Sequence, residues 1–294
     1  MELVCDYMRD DTLRHALNEL TAKTFYFDFE SWVTNGYFEG DYIPYSFIED
    51  GKIVSNVSAN RMIFLQNGVR KNYIQIGTVM TDKAYRKQRL ARKLLAHVIE
   101  QYKNECDGFY LFANLDAVDF YAKCGFSKEV EYCYSVKDEF CGEKSKSIGE
   151  NFIPVDASDK QMKQKYMDMV RHSAVNSSME QINKFSLQMF YTADMENVYY
   201  AKDIDCFIIA EVENDVLLLQ SVICRNKVML SEILQRVGTK YHKCRLGFTP
   251  ASDDMYMCIS ERYNGENEYR LFYLGEKMES IMHEKIYFPE LSHA

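Results

Sequence analysis

No C-x-x-C pair occurs among the nine cysteines of this 294-residue chain. Their odd number and scatter exclude a zinc ribbon and argue against a disulfide frame. They read as reduced, mostly buried thiols, as in a cytoplasmic protein. No apolar run approaches the roughly 18 residues a membrane span requires. The opening Met1-Glu2 does not begin a signal peptide, so a cytoplasmic chain without membrane contact is expected. The Gly-x-Ser-x-Gly elbow, the Gly-x-x-x-x-Gly-Lys-Ser/Thr loop and the His-Glu-x-x-His helix are all missing. The six histidines (15, 97, 172, 242, 283 and 293) are dispersed, and no metal site is expected. Positive charge is also scarce. A net charge of −9 argues against nucleic-acid binding.

What is present is one organising stretch, residues 74–102. Ile74, Ile76, Thr78 and Met80 alternate with Gln75, Gly77, Val79 and Thr81, a strand pattern that places the first four on one face. Leu90, Ala91, Leu94, Leu95, Val98, Ile99 and Tyr102 then recur as one face of a helix. Between the two periods lie Lys83, Arg86, Lys87, Arg89, Arg92 and Lys93, with no carboxylate after Asp82. A helix start leaves N–H groups free and carries the positive end of the dipole, so a strand–loop–helix wrapped in cations is a place to hold phosphates. A merely solvated basic helix face would not account for the strand before it.

The run Tyr85-Arg86-Lys87-Gln88-Arg89-Leu90-Ala91-Arg92 resembles the acetyl-CoA-binding motif of the GCN5-related N-acetyltransferases (GNAT), Arg/Gln-x-x-Gly-x-Gly/Ala. Arg86 and Ala91 match its first and last positions, and Arg89 stands where the family has its first glycine. Phe120-Tyr121-Ala122-Lys123-Cys124-Gly125-Phe126 is similar to the family's Phe-Tyr-x-x-x-Gly-Phe element. The matching pieces lie within about residues 40–136. The resemblance implies a mixed α/β fold and acetyl-CoA as co-substrate. It also implies an amine acceptor, a small molecule or a peptide, that attacks the thioester directly.

Roles follow from the same resemblance. The loop residues Arg86, Lys87, Gln88, Arg89, Leu90, Ala91 and Arg92 are expected to anchor the diphosphate. Val79 and Thr81, on a strand that splays from its neighbour, would meet the pantetheine arm and thioester oxygen, with Asn114 opposite. Tyr121 is the expected acid that returns a proton to the departing thiolate; its alternative is a tyrosine covering the core. Glu39, Asp41, Glu49 and His97 are conceivable bases, and none is assigned. At position 89 a glycine would let the loop approach the diphosphate without a Cβ; an arginine there offers its guanidinium to a phosphate oxygen in return.

Taken in order, Asp10 and Asp11 suit the cap of a helix with Leu13, Ala16, Leu17 and Leu20 on one face. The aromatic-rich residues 25–45, with the single tryptophan Trp32, follow; by the resemblance they help line an acceptor pocket. Strands at 45–48 and 53–57 are joined by Asp50-Gly51, and strands at 61–65 and 73–81 by Asn67-Gly68. A helix at 90–103 and a buried parallel strand at 109–113 complete a βαβ unit. A short helix at 117–123 and a closing strand at 129–136 end the first half.

The fold expected is therefore α/β (mixed): a GNAT-like domain over 1–140 with a central mixed sheet, a polar linker at 141–152 and a second, degenerate GNAT-like domain over 153–294. In that second part a helix at 160–172, strands at 207–212 and 216–222, a helical pattern from Leu230 to Val237 and a strand at 244–248 repeat the pattern of the first. The intervening Cys224-Arg225-Asn226-Lys227 has no glycine and only two cations, so no coenzyme loop is expected there. The run from Phe288 to Ala294 is too apolar for a loose tail: it either docks on the body or meets a second copy, as in a homodimer. A non-catalytic acyl-CoA-binding module is the competing functional reading.

Overall fold

The computed structural model describes residues 1–140, 148, 151–237, 241–265, 268–278 and 283–293. Strand β1 (Glu2–Cys5) precedes α1 (Asp11–Phe25), whose N-cap Asp10 accepts the Leu13 N–H at 3.0 Å. A short α2 (Glu30–Thr34) leads into a meander of β2 (Tyr42–Glu49), β3 (Lys52–Gln66) and β4 (Val69–Thr81). Then come α3 (Leu90–Tyr102), β5 (Gly108–Asn114), α4 (Val118–Ala122), β6 (Ser127–Glu129) and β7 (Glu131–Val136). The second half runs β8 (Ile153–Pro154), α5 (Lys160–Arg171), β9 (Met179–Gln181), α6 (Phe185–Thr192), β10 (Val198–Ala201), β11 (Cys206–Glu213) and β12 (Val216–Cys224). It ends with α7 (Leu230–Val237), β13 (Lys243–Leu246), β14 (Cys258–Tyr263) and β15 (Tyr269–Leu274). Among the described residues no helix is long and apolar enough to cross a membrane.

Two mixed sheets result. The first has the order β1-β2-β3-β4-β5-β15-β6, with β9 paired to β3, and the second the order β14-β7-β13-β12-β11-β10-β8. Each contains the parallel pair of a βαβ unit, β4–β5 around α3 and β12–β13 around α7. The repeat of pattern in the second half is thus real at the level of topology.

The strand that follows each parallel pair is exchanged between halves. β15, from the C-terminal half, lies against β5, and β7, from the N-terminal half, lies against β13. The closing strand expected at 129–136 therefore splits at Val130: β6 stays in the first sheet and β7 enters the second. Alternation alone cannot tell which sheet a strand joins. The linker expected at 141–152 lies mostly outside the described residues.

Two further expectations change. The strands read at 53–57 and 61–65 are one 15-residue strand, β3. Its polar middle looked like a break, yet the buried Asn56 and Asn60 amides donate to the Thr78 and Gln75 carbonyls at 2.8 and 3.1 Å. The one-face alternation in β4 also fails. Ile74 and Ile76 pack with α3, whereas Met80 packs on the opposite side with Leu17 and Trp32. The cause is a bulge: Asn56 opposes Met80 and Ser58 opposes Gly77, so β4 fits Thr78 and Val79 against Val57 alone. An extra residue in one strand inverts the side-chain parity beyond it.

The cores follow from these faces. One cluster joins both halves through Leu17, Trp32 and Met80 with Tyr166, Phe185 and Phe207. Leu94, Leu95 and Val98 of α3 cover the outer face of the first sheet, and Leu230, Ile233 and Val237 of α7 that of the second. The C-terminal run docks on the body, as one of its two readings held: Phe288 is fully buried and stacks on Tyr110, ring centroids 4.3 Å apart.

Candidate active site

The loop from Asp82 to Arg89 is built by its own polar groups. Asp82 caps a single 3-10 turn, its carboxylate accepting the Ala84 N–H at 2.9 Å, and Arg86 Nε donates to the Thr81 carbonyl at 3.3 Å. The chain then passes through two left-handed residues, Lys87 at φ 66° and Arg89 at φ 60°. Arg89 is the last residue before α3, and its carbonyl accepts the Lys93 N–H at 3.1 Å. Among the described residues, the N–H groups of Leu90, Ala91 and Arg92 meet no protein acceptor. Three amides and the helix dipole point into one hollow, the arrangement that binds anions.

That hollow has a volume of about 300 Å3 and is lined by Thr81, Arg86, Lys87, Arg89, Ala91 and Arg92, with Phe120, Lys123 and Cys124 across from them. Among the described residues none of these arginines is ion-paired; Arg92 Nη2 reaches only the Lys123 carbonyl, at 3.4 Å. Of the loop residues expected here, Gln88 alone lies outside the lining. Arg89 is exposed and lines the hollow, and its αL backbone explains why a glycine is the easier residue at this point.

A second hollow, of about 250 Å3, opens where the parallel strands separate. β4 pairs with β5 only over Tyr73–Gly108, Ile74–Phe109 and Gln75–Tyr110, after which the two diverge. Into the gap face Gly77, Thr78, Val79, Asn114 and Tyr121, with Phe25 and Phe112. The expected splay, and the expected meeting of Val79, Asn114 and Tyr121, are thus seen. Thr81 lies in the first hollow instead, and its hydroxyl is bonded to Ser55 at 2.9 Å.

Thr78 was not singled out from the sequence. It sits in the bulge at φ 46°, a conformation costly for a β-branched residue. Its carbonyl is held by the Asn56 amide. Its only sequence signal is the polar Gly77-Thr78 pair inside an apolar strand.

Tyr121 is buried, only 6% exposed, packed edge-on between Phe120 and Phe126. Among the described residues its hydroxyl has no hydrogen-bond partner, and the side chain lines the gap. Burial pushes its pKa far above the ordinary phenol value, so the group is a protonated donor in the pH range of life. Of the four candidate bases, His97 is exposed on α3 beside Tyr45, Glu39 is paired with Arg171 at 3.0 Å, and Glu49 with the amino group of Met1 at 3.6 Å. Asp41 is half-buried, and desolvation, outweighing its bond from Asn183, raises its pKa.

The corresponding corner of the second half is closed. The Leu230 N–H donates to Asp254 at 3.1 Å and the Met229 N–H to Glu232 at 3.1 Å. Arg225 and Lys227 are paired with Asp168 and Asp253. Among the described residues, the Met229, Leu230 and Glu232 amides of that corner are thus all occupied by the protein.

Residues 4–126 match the model of the acetyltransferase (GNAT) family. No curated protein matches the chain. Among solved structures it is similar to a probable N-acyltransferase from Enterococcus faecalis V583 (14% identity, TM-score 0.54), covering 95% of this chain and 73% of that one. It is also similar to a GCN5-related N-acetyltransferase from Kribbella flavida (13% identity, TM-score 0.54), covering 92% and 71%. A third is Eis1 from Mycobacterium abscessus (9% identity, TM-score 0.56), covering 91% and 73%. At such identities the likeness is one of fold, and it spans both halves of the chain.

Proposed function

Residues 4–126 being a domain of the GNAT acetyltransferase family, we propose that this chain is an acetyl-CoA-dependent N-acetyltransferase. The observation that carries the reading is the succession of two hollows along one strand. The cationic corner at α3 suits a diphosphate, and the gap between β4 and β5 suits the pantetheine arm. Charge-assisted bonds from such a corner contribute roughly 1.5–3 kcal/mol each.

In this reading Arg86, Lys87 and Arg92 neutralise the diphosphate while the amides of Leu90, Ala91 and Arg92 orient it, and the Arg89 side chain is dispensable for binding. Main-chain N–H groups at the bulge of Thr78 and Val79 polarise the thioester carbonyl, where negative charge develops. Asn114 holds the arm from the facing strand. The amine nitrogen forms a bond to the carbonyl carbon as the carbon–sulfur bond breaks. Tyr121 gives its proton to the sulfur, and the proton shed by the nitrogen returns to the phenolate through solvent. The acceptor is a small-molecule or peptide amine.

The test is calorimetric titration with acetyl-CoA followed by thiol release over an amine panel. Binding together with amine-dependent thiol release is expected. Binding without release for any amine, unchanged by Tyr121→Phe, would instead make the chain an acyl-CoA-binding module.

A further inference from the structure

A third cavity, of about 120 Å3, lies between the α1–α2 region and α6. Its walls are aromatic. Trp32 meets Phe29 and Phe190 with centroids 5.9 and 5.6 Å apart, and Phe29 meets Phe190 at 6.0 Å. The indole N–H is already committed to the Ser186 carbonyl at 2.7 Å, so the ring offers the cavity only apolar surface. Phe190 and Leu187 come from α6, so the second half of the chain supplies one wall. Phe27 and Thr78 line both this cavity and the gap that ends at Tyr121. The two spaces therefore adjoin at the bulge.

One polar group inside is unemployed. Tyr42 is 5% exposed, and its hydroxyl, which lies near Ser58, Thr78 and Asn56, makes no well-formed hydrogen bond among the described residues. A buried hydroxyl without a partner is costly, and an occupant that bonds to it recovers that cost. Two charged residues, Asp41 and Arg61, also line it; the Asp41 carboxylate is bonded to Asn183 and the Arg61 guanidinium lies over the Tyr102 ring, 5.8 Å from its centroid. An apolar cavity of about 150 Å3 holds one benzene ring, so this smaller space takes a single ring only by extending into the adjoining gap at Phe27 and Thr78.

We infer that this cavity takes the acyl acceptor as a compact hydrophobic primary amine, its nitrogen at Tyr42 and Thr78 and its single ring or short branched chain between Phe29, Trp32 and Phe190. The inference rests on the acyl-transfer reading for its purpose. Polyhydroxylated or polycationic amines fit poorly, since the walls cannot replace the water such groups give up.

Trp32 is the only tryptophan of the chain, so its emission reports filling of the cavity whether or not turnover occurs. The full chain is titrated with benzylamine, isopentylamine, benzyl alcohol, spermidine and kanamycin, and thiol release from acetyl-CoA is then measured with each amine. Benzylamine and isopentylamine are expected to change the emission saturably and to support the fastest release. Benzyl alcohol, lacking the amine, is expected to bind about tenfold more weakly. Tyr42→Phe should raise the KM for benzylamine while leaving acetyl-CoA binding unchanged. Phe190→Ala should move the preference toward two-ring amines.

A silent Trp32 with both hydrophobic amines, or faster release with spermidine or kanamycin, overturns the inference and leaves acyl transfer standing. Saturable filling by the amines with no thiol release supports the ligand class and removes the acyl-transfer reading instead.

Discussion

The carboxylate of Asp254 accepts the N–H of Leu230 at 3.1 Å, a bond that Leu90 lacks at the same place in the other βαβ unit. Two units of one topology thus differ in who occupies the first turn of the helix. In the second it is the protein itself; in the first, among the described residues, the amides stay open beside Arg86, Lys87, Arg89 and Arg92, none of them ion-paired.

One coenzyme per chain is therefore expected in calorimetry with coenzyme A. Asp254→Ala should cost about 1 kcal/mol of stability through the lost cap, read as a lower unfolding midpoint. It should leave that stoichiometry at one; a second site appearing in this variant would show that the cap alone had been closing it.

Arg89→Gly removes a side chain from a left-handed backbone position. Relief of strain exceeds the added chain entropy, and a gain of about 1 kcal/mol in denaturant unfolding is expected. Acetyl-CoA affinity should be preserved or tightened. A large loss of affinity would show that the guanidinium itself grips phosphate.

Tyr121→Phe should lower kcat by about 100-fold or more with little change in acetyl-CoA affinity, since the ring still packs against Phe126 and Phe272. Because burial raises the phenol pKa, the wild-type rate should show no tyrosine ionisation below about pH 10. Equal kcat in the two proteins would assign the thiolate's proton to solvent.

Glu131 is fully enclosed, accepting the Phe288 N–H and the Tyr269 hydroxyl, each at 3.1 Å. Burial outweighs those bonds and pushes its pKa up to about 8. The folded chain keeps a proton that the unfolded chain releases near pH 4.5, so this contribution is complete below that pH and is lost as pH rises through about 8. Glu290, pushed up to about 7 by burial, acts in the same direction. Buried His293, pushed down to about 3, acts oppositely and loses stability as pH falls below about 6.5. The thermal midpoint should fall between about pH 5 and 8.5, and Glu131→Gln, which keeps an acceptor for the Phe288 N–H, should flatten that slope. An unchanged slope in the variant would exclude Glu131 as its source.

Much of the first hollow was legible because it is local. Arg86 to Arg92 lie on one turn of chain, where a strand period gives way to a helix period, and the free amides follow from helix geometry alone. Tyr121 was legible through its motif, and the I′-like turns at Asp50-Gly51 and Asn67-Gly68 through residues that accept positive φ. The bulge was not legible. Alternation from Ile74 to Met80 reads as unbroken, and only the pairing of β4 with β3 shows two residues facing Val57.

By itself, then, the sequence determined the helices that follow the two parallel-pair strands, the tight turns at Asp50-Gly51 and Asn67-Gly68, the cationic corner and the mixed α/β class, since each depends on neighbours a few residues apart. Only the tertiary structure decided that β7 and β15 change sheets, that Thr78 is forced into a left-handed turn of the backbone, and that Phe190 and Leu187 wall a cavity beside Trp32. Those outcomes depend on which strand edge and which helix face meet across more than a hundred residues. The free energy of such meetings lies in packing and hydrogen bonding that no local pattern encodes.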